Sequence, residues 1–180
     1  MKTLILILPL VLLPAVACAQ SNNPPPPTCS TAQNTGQNTG MNSALPPQWQ
    51  GWTTTLPVTA ATKAADQPEI AIGKAYAAKL QPTAQMEYST PLGKPPKDGS
   101  FGGLFMLTVE KAGAYSIALD QGAWVDVVKD EQNVKSGAFG HGPDCSTIHK
   151  YVEFQLIPGH YTIQISAADK PDLTIEVVAK

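Results

Sequence analysis

The sequence predicts an all-β fold, a single antiparallel β-sandwich (jelly-roll-like) of eight or nine strands with a disordered N-terminal arm. Apolar and polar residues alternate with a period of two through residues 49–180, whereas helical spacing nowhere persists over three turns. Gly, Pro, Asp and Asn separate the alternating segments at the intervals typical of a sandwich. A length of 180 residues fits one domain.

Residues 1–19 have the layout of a secretory signal peptide. Lys2 precedes an apolar run from Leu4 to Leu13, and Ala17-Cys18-Ala19 forms an A-x-A cleavage site. No other apolar run is long enough to cross a bilayer, so we expect no membrane span in the mature chain. These features predict a periplasmic or secreted protein of a Gram-negative bacterium.

Cys18 leaves a second possibility for the leader. Residues 15–18 also resemble a lipobox, in which Cys18 would become a lipidated first residue and the protein an outer-membrane lipoprotein. Ala15 stands where a bulky aliphatic residue is usual, so we favour simple cleavage.

Residues 20–48 are predicted to be a flexible linker, because Pro, Asn, Gln and Thr dominate there without apolar periodicity. After cleavage behind Ala19, Cys29 and Cys145 remain. An even pair in an oxidising compartment predicts a disulfide bond, which would tether this linker to the β-sandwich domain, residues 49–180.

Nine segments of the domain are candidate strands. They are Glu69–Ile72, Ala75–Leu80, Gln85–Ser89, Leu104–Val109, Tyr115–Leu119, Trp124–Lys129, Ile148–Ile157, Tyr161–Ser166 and Leu173–Val178. The two strands that flank residues 110–114 are predicted to form a hairpin, and so are the two strands that flank Pro158-Gly159. In each case a hairpin keeps the apolar residues of both strands on one face.

The two G-x-Y turns, Gly113 to Tyr115 and Gly159 to Tyr161, resemble those of small jelly-roll or pre-peptidase C-terminal-like domains of exported bacterial proteins. Residues 140–161, together with the Pro-Pro-x-x-x-Gly-Trp segment at 46–52, are similar to a poorly characterised family of short exported proteobacterial β-sandwich proteins. The resemblance covers most of residues 46–180 and implies no established activity. Some members carry a homogentisate dioxygenase label, which the residues of this chain do not support.

The composition argues against several classes of function. The chain has 12 Lys and no Arg, 14 acidic residues and a net charge of −2, so a basic nucleic-acid surface is not expected. The chain also has no phosphate-binding loop, dinucleotide fingerprint or Gly-x-Ser-x-Gly elbow.

The strongest metal hypothesis combines His141, His149 and Glu153, a two-His, one-carboxylate set that would suit Zn or Fe. On a strand starting near Ile148, however, His149 and Glu153 face away from the predicted core, where such residues are usually solvated. His160 falls at a hairpin tip far along the strand. We therefore assign no metal or cofactor.

Further candidate residues are aromatic or charged. Trp124 and Asp126 share one face of a strand and could line a ligand pocket, or Asp126 could form a structural ion pair with Lys150. Trp49 and Trp52, with Tyr151, could form an exposed platform for a glycan, although tryptophans at such a junction more often plug a core.

These observations favour an exported, non-enzymatic binding or accessory module of the bacterial cell envelope, with an envelope protein or a glycan as its partner. Two alternatives stay open: a metal-dependent (His/His/Glu) oxygenase-like enzyme and a glycan-binding module. A sandwich hosts many functions, so the fold does not choose between them.

Overall fold

The computed structural model describes residues 41–42 and 45–180. The predicted signal peptide, Cys18, Cys29 and most of the predicted linker lie outside the described residues. Within the described ranges, no helix is long and apolar enough to cross a membrane.

The described residues form eleven strands and three short 3-10 helices. The strands are β1 Thr55–Thr59, β2 Ala75–Lys79, β3 Gln81–Pro82, β4 Phe101–Val109, β5 Gly113–Leu119, β6 Trp124–Lys129, β7 Gln132–Val134, β8 Ser136–Gly140, β9 Lys150–Leu156, β10 Gly159–Ala168 and β11 Asp172–Ala179. The helices span Pro47–Thr53, Ala64–Asp66 and Thr83–Gln85. The strand total exceeds the predicted eight or nine because the short strands β1, β3, β7 and β8 lack clear alternation.

The strands make two sheets, and the predicted β-sandwich is confirmed. The first sheet has the order β1-β2-β11-β5-β9-β8 and the second the order β3-β4-β10-β6-β7. All pairs are antiparallel except β1 with β2, which is parallel. Two of the predicted strands are wrong: Glu69–Ile72 and Gln85–Ser89 contribute only isolated bridges, from Glu69 to Met106 and from Glu87 to Lys63.

The main core lies between the sheets. Apolar residues at alternate positions of every long strand meet there, and the largest of them are fully buried, among them Phe105, Ile117, Phe154, Ile163 and Ile175. Alternation places these side chains inward on both sheets, because successive residues of a strand point to opposite faces.

The two predicted hairpins are wrong, since each joins strands of different sheets. Strand β4 pairs with β10, and Leu107 lies opposite Tyr161. Strand β5 pairs with β9, and Tyr115 lies opposite Phe154. A hairpin in one sheet and a crossing between two facing sheets both keep apolar residues inward, so alternation could not distinguish them.

In both crossings, a tyrosine hydroxyl forms a hydrogen bond with the backbone four residues earlier. The Tyr115 hydroxyl donates to the carbonyl oxygen of Lys111 at 2.7 Å, and the Tyr161 hydroxyl donates to that of Ile157 at 2.8 Å. The Tyr161 oxygen also accepts from the Ile157 amide at 3.0 Å. Each G-x-Y turn therefore forms a tyrosine corner, a device known from other β-sandwiches.

A second apolar cluster lies on the outer face of the first sheet. The helix Pro47–Thr53 places Trp49 and Trp52 against Ala118 and Val178, and both indoles are buried. The Trp52 indole nitrogen donates to Thr147 Oγ1 at 2.8 Å. This segment therefore covers one face of the sandwich.

Glu176 is enclosed beneath the same helix. It is on β11, faces away from the main core, and its side chain has no exposed surface. A Cβ on Gly51 would overlap Glu176 Oε1, so the helix backbone lies directly against the carboxyl group. Neither carboxyl oxygen has a hydrogen-bond partner among the described residues, and burial raises the pKa of Glu176 to about 7.

Candidate functional site

The candidate site is a cavity of about 600 Å³, here called the aromatic cleft, at one margin of the sandwich. Strands β6, β8 and β9 and the loop between β8 and β9 form it. Six side chains define it by their chemistry: Trp124, Phe139, His141, His149, Lys150 and Tyr151.

Trp124 is fixed in place by Asp126. Its indole nitrogen donates to Asp126 Oδ1 at 3.0 Å, and Asp126 Oδ2 accepts from the Gly93 amide at 3.0 Å. Asp126 is 9% exposed, and these two bonds supply the hydrogen-bond donors that a nearly buried carboxylate needs. The indole keeps 38% of its surface exposed. The Trp124 indole is thus held in one orientation.

Phe139 and Tyr151 are the other two aromatic residues of the lining, and strand alternation points them to opposite faces of the first sheet. Phe139, on the edge strand β8, is 82% exposed, and it lies opposite Val152 in the β8–β9 pairing. Tyr151 lies opposite Gly140, and a Cβ on Gly140 would come within 2.8 Å of the Tyr151 hydroxyl oxygen. Because Gly140 has no side chain, the Tyr151 ring can lie over its backbone.

The two histidines of the predicted metal set do meet. Their rings are 6.1 Å apart between centroids in an edge-to-face arrangement, and His141 Nδ1 lies 3.2 Å from the carbonyl oxygen of His149. In the Nδ1–H tautomer this nitrogen donates, which leaves Nε2 of His141 as an acceptor.

Glu153 does not complete that set. Its Oε1 accepts from Lys180 Nζ at 2.5 Å, and its side chain lines a separate cavity of about 290 Å³. No group of three or more metal-ligating side chains occurs in the part of the chain that the structure describes. His160 is on β10, where its Nδ1 contacts Thr108 Oγ1 at 3.1 Å.

The predicted Asp126–Lys150 ion pair is wrong. Asp126 is on the outer face of the second sheet, because its neighbours Val125 and Val127 point into the core. Lys150 Nζ donates instead to the carbonyl oxygen of Ala123 at 2.7 Å. The ion pairs of residues 45–180 include none between the two groups.

The exposed platform of Trp49 and Trp52 is also not formed. The two side chains are 6% and 4% exposed, which agrees with a plugging role. Tyr151 packs against their cluster and also reaches the aromatic cleft. The predicted disulfide between Cys145 and Cys29 stays a prediction, because Cys29 lies outside the described residues.

Sequence reasoning missed Phe139 and Glu176. Phe139 stands in a Gly-rich run, Ser136 to Gly142, which resembles a loop rather than an edge strand. Glu176 interrupts an apolar strand, which was a usable signal, but alternation places it on the outer face, where a carboxylate is ordinarily solvated. Nothing in the strand itself indicates that a helix covers that face.

Comparison with known proteins adds a distant structural similarity. No family model matches the chain, and no curated protein matches it in sequence. The chain is similar to the solved pre-peptidase C-terminal domain of a collagenase from Bacillus anthracis, with 14% identity and a TM-score of 0.38 over 62% of this chain and 94% of that one. A similarity at this level carries no argument about function.

Proposed function

We propose that this protein is an exported, non-enzymatic binding module of the bacterial cell envelope that takes its ligand in the aromatic cleft. The observation that carries the proposal is one cavity of about 600 Å³ whose lining includes three aromatic residues, Trp124, Phe139 and Tyr151. Aromatic walls with a few polar groups are typical of small-molecule sites of this size.

The exposure of Phe139 supports the same proposal. An aromatic side chain that is 82% exposed has most of its apolar surface in water, and covering it with a ligand removes that surface. Trp124 is held by Asp126 before any ligand arrives, so a ligand meets an ordered wall and the entropy cost of binding is reduced.

A titration followed by amide chemical shifts tests the cleft. The probes are 2-naphthamide, as a neutral aromatic compound, and N-acetylglucosamine tetramer, as a glycan. We expect 2-naphthamide to shift the amides of residues 139–141 and 149–151, and Phe139→Ala to weaken the shifts several-fold. Ile157→Ala is the matched control, since Ile157 is another exposed apolar side chain (59%) outside the cleft lining.

Three results would change the proposal. Shifts confined to residues outside the cleft, or unchanged binding in Phe139→Ala, would refute it. Binding of the tetramer in the cleft, with none of 2-naphthamide, would select the glycan-binding alternative.

The exported state has its own test. Mass spectrometry of the mature protein should give a chain that begins at Gln20, with Cys29 and Cys145 joined in one non-reduced peptide pair. A lipid-modified Cys18 at the N-terminus would instead assign an outer-membrane lipoprotein, and two alkylatable cysteines in the native protein would refute the disulfide.

A further inference from the structure

Lys150 introduces an unbalanced positive charge into the aromatic cleft. It is the first residue of β9 and faces the interior of the sandwich, where it is partly buried. Its ammonium group donates to the carbonyl oxygen of Ala123, and within residues 45–180 it forms no ion pair. An ammonium group can donate three hydrogen bonds, so donor capacity remains.

The surroundings do not compensate this charge. Burial lowers the pKa of Lys150, and the positive charge of Lys94 lowers it further. None of the described residues that line the cleft is acidic. The two carboxylates near its margins have other partners, since Asp126 binds Trp124 and Gly93 while Glu153 binds Lys180.

The cleft therefore combines a cation with aromatic walls. A partly desolvated cation favours a ligand that brings an opposite charge, because a charge-assisted hydrogen bond strengthens as water leaves. Phe139 lies on the same face of the first sheet as Lys150, because Phe139 pairs with Val152 and Lys150 is two residues before Val152. The exposed ring of Phe139 suits a flat or apolar body, and Trp124 is a further aromatic residue of the lining. His141 and His149 add polar groups to the lining.

We propose that the ligand of the aromatic cleft is an organic anion, with its charged group paired to Lys150 and its apolar body against Phe139. This inference rests on the proposed function and names the ligand class for the same site.

The test compares 2-naphthoate with 2-naphthamide, which share a ring system and differ in charge. We expect 2-naphthoate to bind the native protein about tenfold more tightly at neutral pH, which corresponds to about 1.4 kcal/mol. Lys150→Met keeps much of the aliphatic side chain and removes the charge, so the preference should disappear. Lys150→Arg should retain it, and Lys111→Met, at an exposed site, should leave it unchanged.

The outcomes separate this inference from the proposed function. If both probes bind equally and Phe139→Ala weakens both, the cleft binds ligands but the anion inference is wrong. If Lys150→Met is folded by near-ultraviolet circular dichroism and still prefers the acid, the anion inference is also wrong. If neither probe binds the native protein, both proposals fail.

Discussion

Glu176→Gln should change how the stability of this protein depends on pH. The native carboxyl group has a pKa of about 7, raised by burial from 4.5. In the unfolded chain the group ionises near the lower value, so the native state binds more protons between these two values. The free energy of unfolding therefore falls as pH rises through this window and levels off above it.

The expected size follows from the shift. A displacement of about 2.5 pKa units corresponds to about 3 kcal/mol of stability present below pH 4.5 and lost by about pH 8. Glutamine has the shape of the protonated side chain and cannot ionise, so the variant should not lose this contribution. At about pH 8 it should exceed the native protein in stability by up to about 3 kcal/mol, and near pH 4.5 the two should be similar.

Urea denaturation at a series of pH values measures this difference. The two proteins share every other ionisable group, so the difference between their pH profiles reports on Glu176. Glu110→Gln, at an exposed position, is the matched control and should show no such difference. If Glu176→Gln keeps the full pH slope of the native protein, the carboxyl group is not enclosed as described and the reasoning is wrong.

Three further substitutions test contacts of the fold and the cleft. Tyr161→Phe should lower the free energy of unfolding by about 1–2 kcal/mol, and by more than Tyr115→Phe does, because the Tyr161 hydroxyl makes two backbone hydrogen bonds and the Tyr115 hydroxyl one. Equal losses for the two variants in urea denaturation would contradict this. Trp52→Phe should cost about 1 kcal/mol in the same assay by removing the indole hydrogen bond to Thr147 Oγ1, which keeps its bonds with Asn42. An unchanged midpoint would show that the indole bond contributes nothing. Asp126→Ala removes both acceptor oxygens, so it should loosen the Trp124 indole and raise its fluorescence quenching by iodide. Unchanged quenching would mean that packing alone holds the ring.

The strands that could be predicted from the sequence are the long ones in which apolar and polar residues alternate. Strand β6 has the predicted bounds Trp124–Lys129, because a run of inward valines bounded by turn residues has one favoured reading. Strand β8 was missed, since two glycines in five residues remove the alternation that would reveal it. Sheet partners could not be predicted, because pairing depends on contacts far apart in sequence.

Part of the candidate site could be predicted from the sequence, and part could not. Trp124, Tyr151, His141 and His149 were singled out by residue type, and the structure brings all four to one cavity. The partners of charged groups could not be predicted, because a shift of one residue along a strand moves a side chain to the other face of the sheet. Asp126 illustrates this, since its immediate neighbours face the core and it faces the opposite side.

The position of β11 has a consequence for how the chain reaches its native state. This last strand lies between β2 and β5, in the interior of its sheet. Until β11 has been synthesised, β2 and β5 have no strand between them, and β4 and β5 also wait for their downstream partners β10 and β9. Folding dominated by such distant pairings is slow and begins late. The first sheet therefore stays incomplete until β11 has been synthesised, and a chain that has not completed its sheets can still be threaded through a narrow channel.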